Sequence, residues 1–199
     1  TPSIEHISNK LFQLGHEHEI DGDILDMEFT PNRGDCLSIN GLLRDLAVFY
    51  TVDLNQEVFT EKLNELQLDF ENLSESNCPK ISFLKLEIDQ VPETYKNFLD
   101  NYFTDLCLNK NNFFTDVSNY LSYETGQPTH CYDASSMSGK LLFHEIEKNE
   151  EFETLLDKKI TLKGKNSVFS LNDNIINLAG IVGGKSTSCS ADTKTVIVE

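Results

Sequence analysis

In the stretch SNYLSYETGQPTHCYD, positions 118–133, the side chains of Ser118, Asn119, His130 and Asp133 are candidates for chemistry. An imidazole titrates near neutrality, so it can orient a water or pass a proton. A hydroxyl and a carboxamide both donate and accept hydrogen bonds. The pattern over residues 117–125 predicts a short helix that Gly126 and Pro128 end. That helix would carry Ser118 and Asn119, and the break would turn the chain ahead of His130. A lone His after such a turn also serves as a structural hydrogen bonder. Asp133 is expected to cap or pin the turn. Glu199 follows the β-branched run TKTVIV and is either a solvent-facing strand end or a carboxylate aimed at a ligand. Ala179-Gly180 is either a plain strand with a bulge or a place where main chain approaches a ligand closely.

Other combinations carry less. His16 and His18 in GHEHE lack a further ligand set and are expected to be solvated. Arg33-Gly34-Asp35 is expected to tie a strand-to-helix turn through the side chains of Asn32, Arg33 and Asp35. Gly183-Gly184-Lys185-Ser186 lacks the spaced upstream Gly of a phosphate-binding loop. The five cysteines are scattered, odd in number and without a C-x-x-C pair, which predicts reduced, mostly buried thiols.

The elements that must position these groups follow from periodicity. Ser3 is a predicted N-cap for a helix with Ile4, Ile7, Leu11 and Leu14 on one face, ended by Gly15. DILDMEFT alternates as a strand that Pro31 stops. Ser38 opens a second helix with Ile39, Leu42, Leu43, Leu46 and Phe49 inward. After a loose, turn-rich stretch, ISFLKLEID predicts a strand, and TYKNFLDNYFTDLCL predicts a helix with an aromatic stripe. Beyond Gly139, short strand-like runs alternate with Gly, Asn, Asp and Lys. The fold class is α+β: a small helix–strand–helix N-terminal unit, then a larger mixed domain with a mainly β C-terminal part. With 199 residues and 39% hydrophobic content, one sizeable core is affordable. No apolar run is long enough to span a bilayer. A net charge of −17 opposes broad electrostatic gripping of a phosphate backbone. Starting at Thr1, the chain is expected to be a piece of something longer.

Several stretches carry a family resemblance. TPNRGDCLSINGLLRDLA resembles the TPNRaDcLS…GlaREla signature of the β subunit of bacterial phenylalanyl-tRNA synthetase. TDVSNYLSYETGQPTHCYD resembles that subunit's VDvTNYv…elGQPmHaFD motif, and NLAGIVGGKSTSCSADTKTVIVE its lAGimGGe…Tk.vllE segment. CPKISFLKLEI is similar to its CprY strand, and the motifs run in the family's order over nearly the whole chain.

The resemblance implies three parts: residues 1–55 as the second half of a B1-like domain, 56–75 as a linker, and 76–199 as a B3/B4-like tRNA-editing domain lacking its far end. It implies hydrolysis of mischarged Tyr-tRNA(Phe), because a benzyl pocket rejects an added hydroxyl only about a hundredfold. It assigns Glu199 to the tyrosyl hydroxyl, and Ala179, Gly180 and Pro128 to the pocket wall. His130 is assigned to the scissile ester, with Ser118 and Asn119 near that ester and the terminal adenosine. It implies no cofactor here, with ATP and Mg²⁺ used at the α subunit. The implied partners are the tRNA(Phe) 3′ end and the α subunit in an α2β2 assembly, in the cytoplasm, with no membrane or DNA.

Three departures stand out. Asn109 or Lys110 occupies the neighbourhood of a frequent Arg. Val182 replaces a usual Met, and Cys131-Tyr132 replaces the usual Ala-Phe. The other reading is a non-catalytic scaffold, docking tRNA or a subunit, whose editing pocket has decayed.

Overall fold

The structure, a computed structural model, describes residues 2–51 and 58–199. The expected boundary near residue 55 lies outside the described residues. The chain divides into two compact units. One takes Thr1–Glu61, Tyr95–Asn109 and Asn119–Pro128; the other takes Lys62–Thr94, Lys110–Ser118 and Thr129–Glu199.

In the first unit, helix α1 spans Ile4–Gln13, and the Ser3 hydroxyl accepts from His6 N at 3.3 Å. Gly15, at φ +85°, turns the chain out of it. Strands β1 (Glu17–Asp21) and β2 (Ile24–Glu28) then pair antiparallel around Gly22. Only β2 is foreseen by alternation. β1 reads EHEID, which carries no apolar face of its own.

Pro31–Cys36 forms a 3₁₀ turn, followed by α2 at Ile39–Leu46. Ser38 caps α2, its hydroxyl accepting from Gly41 N at 3.0 Å. That cap is buried, and Ser38→Ala is expected to cost about 1 kcal/mol in chemical denaturation, whereas Ser38→Asp keeps most of it. Gly41 permits the approach of α2 to the turn, because an added Cβ would fall 1.9 Å from the Asp35 carbonyl oxygen.

Neither histidine of GHEHE is solvated as expected: His18 is half-buried, with Nε2 bonded to Ser8 Oγ at 2.7 Å and Nδ1 to His16 O at 3.0 Å. His16 is 3% exposed, bonds Asp45 Oδ2 through Nε2 at 2.9 Å, and meets the Phe29 ring edge-on. Arg33 donates to the same Asp45 oxygen at 2.6 Å and forks onto both oxygens of Asp35 at 3.0 Å. That bidentate bond holds the Asp35 carboxyl down at about 2. His16, Cys36 and Asp45 lie close enough to suggest a metal set, but the Arg33 guanidinium already supplies the positive charge there.

The second unit is mainly β. Its strands are β3 (Phe70–Asn72), β4 (Leu84–Glu87), β5 (Cys131–Asp133), β6 (Leu141–Glu147), β7 (Glu150–Glu153), β8 (Lys159–Leu162), β9 (Lys165–Leu171), β10 (Asn174–Leu178), β11 (Val182–Gly183) and β12 (Thr195–Val198). Helix α3 (Asn97–Asp105) belongs to the first unit, and α4 (Phe113–Thr125) contributes residues to both. α4 begins four residues earlier than the sequence suggests, and Gly126, at φ +75°, ends it as expected.

Five strands run in the order β11-β10-β9-β6-β3, and three in the order β4-β12-β5. β3 pairs parallel with β6, so the stretch expected as linker supplies a sheet edge. The β9–β10 hairpin closes through Asn172-Asp173, both at positive φ, the two-residue turn whose twist matches its strands. Tyr132, Leu141, Phe143, Phe169, Ile176 and Ile197 form the main core, drawing on both sheets. Among the described residues no helix is long and apolar enough to cross a membrane. All five cysteines are free, but only Cys36 is buried and Cys107 is exposed, so the expectation of mostly buried thiols is corrected.

Candidate functional site

β5 and β12 run antiparallel, with Tyr132 opposite Ile197 and Cys131 opposite Val198. The next pair in this register is His130 and Glu199. Glu199 N donates to His130 O at 2.8 Å, and His130 N donates to Glu199 O at 3.2 Å. Residues that exchange both backbone bonds sit directly opposite, about 5.5 Å apart at Cα, with side chains on one face. The imidazole and the carboxylate therefore rise side by side. Tyr132, two residues after His130, shares that face by the period of two, and its ring meets the imidazole edge-on with centroids 4.5 Å apart.

β10 contributes from the facing sheet. A register shift between Ile175 and Asn177 marks a bulge, a device that re-aims side chains. Asn177, 3% exposed, donates through Nδ2 to Tyr132 Oη at 2.7 Å and to Glu199 Oε2 at 3.1 Å. Tyr132 Oη–H donates to the same Glu199 oxygen at 2.5 Å. Gly183 on β11 lies opposite Asn177, and an added Cβ there would fall 2.1 Å from His130 Cε1. The imidazole is thus seated on bare backbone.

Burial governs the charges. It pushes the Glu199 carboxyl up, against the lowering effect of the bonds from Tyr132 and Asn177. It also drives the Tyr132 phenol well above its ordinary value, helped by the Glu199 charge. Burial lowers His130 from 6.5 to about 4, and its Nε2 is shielded without a hydrogen-bond partner among the described residues. An orphaned buried ring nitrogen is uncommon. It can accept from a water or a ligand donor.

The unfolded chain takes up a proton between pH 6.5 and 4 that the folded imidazole refuses, so this group's contribution to stability falls as pH drops through that window. NMR of the His130 ring is expected to show the neutral form at pH 5.5, with the transition near 4.

Ser118 is buried, and its hydroxyl is engaged by Thr129 O and Thr129 Oγ1, both at 2.8 Å. Ala179 packs on the core and donates through N to Ser167 O at 3.0 Å. Gly180 is exposed at φ +71°, with nothing within 4 Å of an added Cβ, so its backbone is open to a ligand. Asn119, half-buried on α4, and Pro128, exposed, fall in the first unit. Asp133 caps the 3₁₀ turn after β5, accepting from Ser135 N at 2.9 Å and Thr193 Oγ1 at 2.6 Å. It does not pin the turn before His130. A cavity of about 820 Å³ lies in the first unit, lined by Phe12, His18, Met27 and acidic side chains.

Sequence reasoning missed Tyr132, Asn177 and the seat at Gly183. Tyr132 was visible as the departure from Phe. Asn177 was visible as the polar member of NIINL, but nothing local announced the bulge.

The B3/4 domain family matches residues 89–199. The phenylalanine–tRNA ligase beta subunit of Ehrlichia canis is 31% identical over 88% of this chain and 22% of its own length. The same subunit of Wolbachia sp. is 27% identical over 94% of this chain and 25% of its own. The chain thus spans about a quarter of the length of the curated relatives it matches. A crystal structure of an N-terminal fragment of the phenylalanyl-tRNA synthetase beta-subunit from Pyrococcus horikoshii shares the fold. It covers 100% of this chain and 62% of its own at TM-score 0.50 and 14% identity. With more than half its residues matched, this chain belongs to the B3/4 domain family.

Proposed function

We propose that this chain carries a post-transfer editing site that hydrolyses the tyrosyl ester of tRNA(Phe). The observation that carries the reading is the paired placement of His130 and Glu199 on one sheet face. A carboxylate accepts a hydrogen bond from a para hydroxyl and offers nothing comparable to a bare phenyl ring. The imidazole beside it faces the ester end. At about 4, His130 is a weak base at neutral pH, so its task is to hold a water through Nε2 rather than to deprotonate it outright. The water oxygen attacks the ester carbonyl and passes a proton to the vicinal ribose hydroxyl as that hydroxyl passes its own to the departing ribose oxygen. The bond from the carbonyl carbon to that departing oxygen breaks. Backbone at Ala179-Gly180 is suited to the amino-acid end and Ser118 to the adenosine end. No metal has a step in this scheme.

The implied partners are the tRNA(Phe) 3′ end and the α subunit, where ATP and Mg²⁺ belong to aminoacylation in the cytoplasm. A docking module with a decayed pocket is the second reading. It is favoured by the engagement of the Ser118 hydroxyl with Thr129 and by Asn109 and Lys110 where Arg is usual. The deciding assay follows Tyr-tRNA(Phe) and Phe-tRNA(Phe) decay with the intact synthetase. Rapid loss of the Tyr ester alone supports editing; equal persistence of both supports docking.

A further inference from the structure

Glu199 has two carboxylate oxygens, and the protein treats them differently. Oε2 takes both the Tyr132 hydroxyl proton and an Asn177 amide proton. Oε1 has no bond among the described residues, and it is not among the atoms that are buried without a partner. Tyr132 is 0% exposed, its ring is packed in the core between the two sheets, and its own oxygen is gripped by Asn177. A phenol fixed in this way cannot swing aside to make room for a ligand. It does not compete for the carboxylate; it anchors one oxygen of it.

We propose that Tyr132 and Asn177 are positioning residues that lock the Glu199 carboxylate through Oε2, leaving Oε1 as the acceptor for a ligand phenol. The proposal deepens the editing reading and rests on it. Two donors on one oxygen fix the carboxylate plane, so the other oxygen is aimed before a ligand arrives. A preorganised acceptor discriminates better than one free to rotate, since no ordering cost remains when the ligand binds. Against the burial that raises the Glu199 carboxyl, both donors favour the charged form and pull it down. On the same face His130 is neutral at neutral pH and the Tyr132 phenol is held protonated, so neither adds a compensating charge.

The test uses Tyr132→Phe in the intact protein, which removes one hydroxyl and keeps the ring that fills the core. Selectivity, as kcat/KM for Tyr-tRNA(Phe) over Phe-tRNA(Phe), is expected to fall about tenfold, the worth of one charge-assisted hydrogen bond. In a Glu199→Ala background the same substitution should change selectivity no further, because Tyr132 acts only through that carboxylate. Independently of turnover, the Glu199 carboxyl carbon followed by NMR should titrate at higher pH in Tyr132→Phe than in the unaltered protein.

An unmoved titration overturns the proposal whatever the activity. A moved titration with unchanged selectivity overturns it as well, as does a rise in Tyr-ester hydrolysis, which would make the phenol a competitor. Protein that cleaves neither ester contradicts the editing reading, and the titration then decides alone whether Tyr132 governs Glu199.

Discussion

Glu199→Ala is expected to slow hydrolysis of Tyr-tRNA(Phe) about a hundredfold while leaving the slow Phe-ester reaction unchanged. The asymmetry is the informative part. A carboxylate that meets a para hydroxyl contributes to one substrate and has no partner on the other. A general loss of folding or of tRNA grip would lower both rates together. In the variant the Tyr132 oxygen still accepts from Asn177 Nδ2, but its O–H loses the Glu199 acceptor, a cost to stability that a lower Tm would show. Rates for both esters, measured with the same enzyme preparation, check the prediction.

Gly183→Ala is the second large effect, and it acts at the other end of the ligand. The new Cβ would fall 2.1 Å from His130 Cε1 and 2.6 Å from Nε2, far inside contact distance. Gly183 is not at positive φ, so its backbone tolerates Ala and the whole cost is steric. Either the imidazole tips away or β11 shifts from Asn177, its partner in the sheet. Overpacking of this kind costs about 1–3 kcal/mol of stability. Displacing a positioned group by about 1 Å typically lowers turnover about a hundredfold. The expected signature is a fall in kcat with KM little changed, a lower Tm, and an Nε2 resonance moved from its unaltered position. Full activity would show that the imidazole has no fixed task.

Much of the scaffold can be read from the sequence, because local signals and tertiary packing agree there. Ser3 and Ser38 cap their helices as their positions suggest. Gly126 ends α4 in the conformation that only glycine adopts cheaply. The short runs after Gly139 become strands. What escapes are elements whose pattern is supplied by a partner. β1 is a strand because β2 pairs with it, and β5 is only three residues held by β12. His16 looks solvated in GHEHE, yet it is buried by an Asp 29 residues away.

The candidate site divides in the same way. His130 and Glu199 can be singled out as residue types in recognisable motifs. Their adjacency is a register property, since one residue of slip between β5 and β12 would place them on opposite faces. Tyr132 stands out only as an exchange of Phe for Tyr. Its hydroxyl acquires meaning when a bulge on β10 brings Asn177 to it. Hydrogen bonds across 45 and 67 residues of chain leave no trace in local spacing.

The most direct test is a crystal structure of the protein with a non-hydrolysable tyrosyl amide of 3′-amino-3′-deoxyadenosine. The phenol oxygen is expected within hydrogen-bonding distance of Glu199 Oε1, with a water on His130 Nε2 facing the amide carbonyl carbon. An analogue bound with its ring away from Glu199, or lodged in the acidic cavity beside Phe12 and Met27, would contradict the account.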